Sequence, residues 1–246
     1  MAKTIKEWLD TDVKKWKRKG VANLSTTYFF RDPTRPNFID HDLFFSPCDG
    51  TIMYQKVIED PTQPVVEVKG KMYSLQDVLA DPTYNQPSIV IGIFMSFYDV
   101  HIIRTPYSGL IKYEQTDSIE SYNLPMLEVE KSLLKQMVNH EAMIPYVKNN
   151  ERMINTIYSP SLDYEYYVTL IADSDVDVIL PFNLEQNEFY NQNERFAQVR
   201  WGSQTELILG LDDRFDFEFL QEEGMHIESC YDALVRINKK NPYSKY

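Results

Sequence analysis

The chain has 246 residues and a net charge of −12, enough length for a substantial core but the wrong sign for a general nucleic-acid binder, which needs a basic surface to neutralise phosphates. Hydrophobic residues at 43% and charged residues at 25% are the proportions of a soluble globular protein, and 17 Tyr and 13 Phe suit a strand-rich interior. Cys48 and Cys230 form no CxxC pair, and His41, His101, His140 and His226 are scattered without an HExxH or Cys/His cluster, so neither a disulfide framework nor a metal site is expected.

The first stretch, "MAKTIKEWLDTDVKKWKRKG", lacks the apolar core and small-residue cleavage site of a signal peptide. Ile5, Trp8, Leu9, Val13 and Trp16 follow helical spacing, which predicts a helix over residues 3–19 stopped by Gly20. Seven basic residues against three acidic ones make this helix a candidate for an anionic membrane surface, or equally for docking on the acidic remainder of its own chain. The aromatic, proline-punctuated "STTYFFRDPTRP" follows, with Tyr28, Phe29 and Phe30 a second candidate membrane contact. Strand candidates come next: "LFFSP", "GTIMYQKVI", "PVVEVKGKMY", "SIVIGIFMS" and "VHIIRTPYSGLIKYEQ". Among them "SLQDVLADP" reads as a short helix over 74–81, with Ser74 as N-cap and Asp77 at the third helical position. Residues 126–141 form the other helical candidate. "EYYVTLIA" and "VDVILPF" read as strands and "NLEQNEFYNQNE" as a polar loop, before "RFAQVRWGSQTELILGL", "RFDFEFL" and "ALVRIN". No run reaches the ~18 apolar residues of a membrane-spanning helix. The expectation is one mainly β (α+β) domain over 1–246, an antiparallel sandwich or barrel-like body with a few peripheral helices, in the cytoplasm.

Three polar islands interrupt the apolar runs. Asp49 lies between Cys48 and Gly50 just before a strand, and Asp-Gly is common turn chemistry. Asp99, His101 and Arg104 sit inside "MSFYDVHIIRTPYSG", where alternation puts Asp99 and His101 on one face. Gly202-Ser203 stands at the centre of a strand-like run, where a β-bulge or tight bend is the ordinary explanation. Together the islands supply an Asp, a His and a Ser, the set that activates a hydroxyl. The Gly-x-Ser-x-Gly elbow of a conventional serine hydrolase is absent.

The order "FFRDPTRP", "SPCDGTI", "VKGKMYSLQDVL", "FMSFYDVHIIRTPYSG", "NNERM" and "ERFAQVRWGSQTELIL" resembles the phosphatidylserine decarboxylase family, most closely its short form. The resemblance implies that the chain cuts itself between Gly202 and Ser203. Ser203 Oγ would attack the Gly202 carbonyl, and β-elimination and hydrolysis would leave a pyruvoyl group on a small subunit, 203–246, beside a large subunit, 1–202. That self-made pyruvoyl cofactor would form a Schiff base with the substrate amine and accept the electrons released as CO2 departs. The resemblance makes Asp49, His101 and Ser203 the catalytic candidates, and Asp99 and Arg104 candidates for substrate binding. It implies a carboxy-lyase converting phosphatidylserine to phosphatidylethanolamine, with a peripheral membrane contact and a homo-oligomeric state. A pyruvoyl enzyme acting on a soluble amino acid, or an uncleaved non-catalytic relative, are the alternatives. The chain departs from the family pattern at Cys48, where a small residue such as Ala is usual, and at Arg104, where long forms carry a second His. Gln204 stands where long forms have Thr or Ser and short forms Arg, and "LIADSDVDV" replaces a glycine-rich tract.

Overall fold

The computed structural model describes residues 1–17, 23–68, 71–116, 126–143, 150–173, 179–183, 185–200 and 203–240. Gly202, the end of the N-terminal helix candidate at 18–19 and most of the "DSDVD" tract lie outside the described residues.

In chain order the strands are β1 (Lys3–Thr4), β2 (Leu43–Phe45), β3 (Gly50–Ile58), β4 (Pro64–Val68), β5 (Lys71–Ser74), β6 (Ser88–Met95), β7 (Ile102–Arg104) and β8 (Gly109–Gln115). They continue as β9 (Arg152–Ser159), β10 (Tyr164–Ala172), β11 (Ile179–Pro181), β12 (Glu188–Tyr190), β13 (Arg195–Val199), β14 (Ser203–Gly210), β15 (Phe215–Phe219), β16 (Met225–Ile227) and β17 (Ala233–Lys239). A nine-stranded sheet runs β1-β16-β3-β6-β14-β10-β9-β8-β12, and its pairings are antiparallel. The chain is thus mainly β, as the separated apolar runs predict. The sheet ends on two edges, β1 and β12, so it does not close into a barrel.

Both faces of this sheet are covered. One core holds Ile91, Ile93, Val168, Leu170, Leu207 and Leu209, packed with Phe44 and Val235 of the sheet β15-β17-β2 and with Ile103 and Val199 of β11-β13-β7. The other holds Val90, Phe94, Ile171 and Ile208 under the β4-β5 hairpin and two short helices. β6 and β14 are buried along their whole length because they lie mid-sheet between these two cores. Odd residues of β14 from Ser203 face the first core, and even residues from Gln204 face the second.

The three predicted helices are present but shorter. Lys3–Thr4 is a two-residue strand, and helix begins at Ile5 behind a capping box of Thr4 and Glu7. It passes through a π-helical turn, Leu9–Val13, into Lys14–Lys17. Trp8 and Val13 are buried against Tyr98, and Lys3 pairs with Asp12 and Glu228, so this helix is docked on its own body. Ser74 caps Leu75–Leu79, with Asp77 completing the capping box and Ala80 ending it at φ 49°. Leu127–Leu133 stops early, as the chain turns back through Gln136 at φ 60°. The Asn/Gln-rich loop contains a strand, β12, which caps the sheet edge beside β8.

Candidate active site

Ser203 is the first residue of β14, opposite Met95 of β6 and Ala172 of β10. It is fully buried, and its Oγ has no hydrogen-bond partner among the described residues. A buried hydroxyl without a partner is unusual enough to require an explanation. β6 ends at Met95, and the next residues turn through Ser96–Val100 to His101. The His101 carbonyl accepts a hydrogen bond from Val199 N at 3.1 Å, four residues before Ser203. The fold therefore carries His101 and Ser203 to the same end of the β6-β14 pair.

His101 is fully buried beneath Phe29, with ring centroids 4.1 Å apart. Its Nδ1 lies 3.1 Å from the Asp99 carbonyl, an acceptor only, so Nδ1 carries the proton and Nε2 presents a bare lone pair. Nε2 has no hydrogen-bond partner among the described residues. Burial pushes this imidazole down to about 4, against the pull of Asp99 and with some help from Arg31. It is a neutral base at physiological pH.

The Asp99 carboxylate is occupied inside the fold. Oδ1 accepts from His226 Nε2 at 2.7 Å and Oδ2 from Ser96 N at 2.7 Å. Burial opposes its ionisation, but these partners outweigh it and hold the carboxyl below its ordinary value. His226 stacks on Trp8 at 4.8 Å, which ties the N-terminal helix to the loop that carries His101.

Asp49 is also buried, and both its oxygens are engaged. Oδ2 accepts from Arg35 at 2.5 Å, and Oδ1 accepts from Ser229 N at 2.9 Å and Ser229 Oγ at 3.1 Å. Burial lifts this carboxyl above its usual range, opposed by Arg35. Asp49 makes no hydrogen bond to His101; the group that fixes the His101 tautomer is the Asp99 carbonyl. Gly50, next to Asp49, has no room for a side chain: a Cβ there would lie 2.5 Å from the Phe94 carbonyl oxygen. Arg104 is nine-tenths buried, donates to Asn193 O at 3.0 Å and to Asp32 at 3.4 Å, and has an unpartnered Nε.

On the opposite face of β14 from the Ser203 side chain lies a polar cluster that sequence reading missed. Glu206 is fully buried and accepts from Tyr54 at 2.5 Å, Tyr73 at 3.0 Å and Gln204 Nε2. The Tyr54 ring reaches it across Gly92, where a Cβ would sit 2.3 Å from the ring carbon bearing the hydroxyl. Burial raises the Glu206 carboxyl to about 7, against those three donors. The folded chain therefore holds a proton that the unfolded chain releases above ~4.5. Stability from this group must fall as pH rises from about 4.5 to about 7 and then level off. Glu206→Gln is expected to remove that part of the slope, read as the difference between variant and wild-type denaturation midpoints across pH 4–8. Parallel curves would show that Glu206 ionises normally. The only sequence signal here was Gln204-x-Glu206 inside an apolar strand.

Among the described residues no group of His, Cys, Asp or Glu could hold a metal ion. No helix among them is long and apolar enough to cross a membrane.

The family model for phosphatidylserine decarboxylase matches residues 22–229. A putative archaetidylserine decarboxylase proenzyme of Methanocaldococcus jannaschii is 30% identical over 186 residues, covering 76% of this chain and 79% of that protein. A phosphatidylserine decarboxylase proenzyme of Wolbachia sp. subsp. Brugia malayi is 26% identical over 222 residues, 90% of this chain and 80% of the relative. One from Ehrlichia chaffeensis is 28% identical over 194 residues, 78% and 68% of the two chains.

Proposed function

The chain belongs to the phosphatidylserine decarboxylase family, a family of carboxy-lyases, and from that premise we propose that it is a self-processing, pyruvoyl-dependent enzyme that converts phosphatidylserine to phosphatidylethanolamine and CO2. The observation that carries the reading is the pair of buried, unpartnered atoms, Ser203 Oγ and His101 Nε2, at one end of the central strands. A lone pair held by a fixed tautomer is what an alcohol needs to become a nucleophile.

His101 Nε2 takes the Ser203 hydroxyl proton as Oγ adds to the Gly202 carbonyl carbon. The 202–203 C–N bond then breaks, and the nitrogen takes the proton back, leaving an ester between the two residues. Loss of the Ser203 Cα proton and of the Gly202 carboxylate creates dehydroalanine at 203. Water hydrolyses its imine tautomer, releasing ammonia. The products are a large subunit, 1–202, and a small one, 203–246, with a blocked N-terminus. The pyruvoyl group so made supplies an electron sink for the carboxylate lost from an amine-bearing substrate. The burial of its precursor between two cores supports the fit, because water is kept from the reacting centre. Asp99 acts by position: its carbonyl orients His101 while its carboxylate anchors the loop to His226. Asp49 and Arg35 form an ion pair that holds the start of β3 against Ser229.

Intact-mass analysis of the purified protein tests this directly. Two fragments meeting at 202/203, the smaller blocked at its N-terminus, are expected, with CO2 release from dispersed phosphatidylserine. A single uncut chain, or turnover of free amino acid in place of the lipid, would overturn the reading.

A further inference from the structure

The Phe29 ring that covers His101 belongs to a turn, Tyr28–Arg31, closed by a hydrogen bond from Arg31 N to the Tyr28 carbonyl at 3.2 Å. From the end of this turn the Arg31 side chain reaches the backbone of the loop that carries His101. Nη2 donates to the Tyr98 carbonyl at 2.6 Å. Nη1 donates to the Asp99 carbonyl at 3.2 Å and to the Tyr28 carbonyl at 2.9 Å. The guanidinium carbon lies 3.6 Å from the Tyr28 ring centroid, a cation–π contact that holds the side chain in place. Tyr28 and Phe29 are buried, so of the aromatic triplet offered as a membrane contact only Phe30 is exposed.

The Ser96–Asp99 turn satisfies its own donors. Asp99 N bonds to the Ser96 carbonyl at 3.0 Å, Tyr98 N to Ser96 Oγ at 3.1 Å and Ser96 N to the Asp99 carboxylate at 2.7 Å. Its outward carbonyls are another matter: no backbone N–H among the described residues reaches the oxygen of Tyr98 or Asp99. Both residues are buried, and buried carbonyls need donors. Here the donors are side chains. The Asp99 oxygen accepts twice, from His101 Nδ1 at 3.1 Å and from Arg31 at 3.2 Å, which uses both of its lone pairs. A flip of the Asp99–Val100 peptide would turn Val100 N–H towards Nδ1 and favour the opposite tautomer, with the proton on Nε2. A guanidinium can only donate, so Arg31 opposes that flip.

We propose that Arg31 is a positioning residue for self-cleavage: by donating to the Asp99 carbonyl it holds His101 in the Nδ1–H tautomer and keeps Nε2 bare for the Ser203 proton. The inference rests on the self-processing reading above for its purpose. The charge of Arg31 matters as well as its donors, because all three acceptors are neutral carbonyls and none cancels it. Among the described residues, the charged groups facing the imidazole are Asp99, tied to His226, and Arg31. Burial is the main force against a second proton on the ring; Asp99 favours that proton and Arg31 opposes it. Beside a fixed cation, the imidazolium formed by taking the Ser203 proton is short-lived, and the proton passes on to the leaving nitrogen.

Nitrogen NMR of isotope-labelled histidine rings in a Ser203→Ala chain tests this without requiring cleavage. With Arg31 intact, His101 should show the Nδ1–H tautomer alone and titrate at about 4. Arg31→Met should bring in the Nε2–H tautomer and move the titration upward by roughly half a pH unit. Arg31→Lys keeps the charge but not the planar fork that spans two carbonyls, so the second tautomer should appear while the titration stays in place. In chains that retain Ser203, the methionine variant should cleave at least about tenfold more slowly at neutral pH, and the lysine variant several-fold. Only methionine should shift the acid limb of the rate. A pure Nδ1–H tautomer in either variant would overturn the proposal and leave Arg31 a structural cover; the lysine variant decides this alone if the methionine variant does not fold. Cleavage by the lysine variant at the wild-type rate would overturn it too. A wild-type chain that never cuts would refute the proposed function, and the tautomer in the Ser203→Ala chain would still decide the role of Arg31.

Discussion

Replacing Ser203 by alanine is expected to leave one uncut 29.0 kDa chain and to lower decarboxylation by at least about a thousand-fold, while the fold stays intact. Both losses follow from one atom, because the hydroxyl is the nucleophile for cleavage and the oxygen whose departure creates the ketone precursor. The stability prediction separates this from simple damage. Ser203 Oγ is buried without a hydrogen-bond partner among the described residues, so its removal relieves a desolvated polar group, a gain of about 1 kcal/mol or a change near zero. Measured against uncut precursor, in which that hydroxyl is still present, the melting temperature of the alanine variant should therefore hold or rise. Cysteine or threonine at 203 keeps a nucleophilic atom and should allow slow cleavage, although the threonine methyl must find space between Met95 and Ala172. Gel electrophoresis, CO2 release and a thermal melt, run on the same preparations, read all of this. Undiminished decarboxylation by the alanine variant would rule out pyruvoyl chemistry at this position.

Legibility followed the range of the interaction. Strands such as Gly50–Ile58, Ser88–Met95 and Tyr164–Ala172 were visible because apolar side chains fill both faces or alternate, and turn residues bound them. β9 was not, because buried Asn155 and Ser159 break its apolar pattern; Asn155 earns its burial by donating to the Val168 carbonyl at 2.8 Å on the neighbouring strand. The helix start at Ser74 was readable because its cap is made within three residues, whereas the equally local Thr4 cap was passed over and that helix was begun at residue 3. Helix ends were overextended at 126–141, since the turn at Gln136 carries no glycine to announce it. At the site, the islands around Asp49, His101 and Ser203 stood out by being polar within apolar runs. Their partners did not. His226 lies 127 positions from Asp99 and Ser229 lies 180 from Asp49, separations at which a single sequence offers no spacing to read. Arg35 lay in plain view in "RDPTRP", but its pairing with Asp49 depends on how that loop folds back over the start of β3.

Removing the His101 side chain should have the other large effect, a fall of 10²- to 10⁴-fold in the rate of self-cleavage, the range expected when a positioned general base is lost. The shape of the pH profile says more than the size of the loss. An exposed imidazole titrates near 6.5 and would make cleavage switch on across neutral pH. His101 is different: burial drives it down to about 4, so the base form is already complete well below neutrality. In wild-type protein the cleavage rate should climb about tenfold per pH unit below 4 and run flat from about pH 5 to 8. The sign follows from the group being active when unprotonated, so activity is lost as pH falls through the folded value and not as it rises. Time courses of fragment appearance in freshly synthesised chain, quenched at each pH, provide the profile. His101→Gln offers a second check, because it refills most of the space under Phe29 without supplying a base. If the glutamine variant cuts at the wild-type rate, another group takes the Ser203 proton. If the wild-type profile instead bends near 6.5, the imidazole meets solvent before the bond breaks, and the Ser96–Val100 loop must open for cleavage to begin.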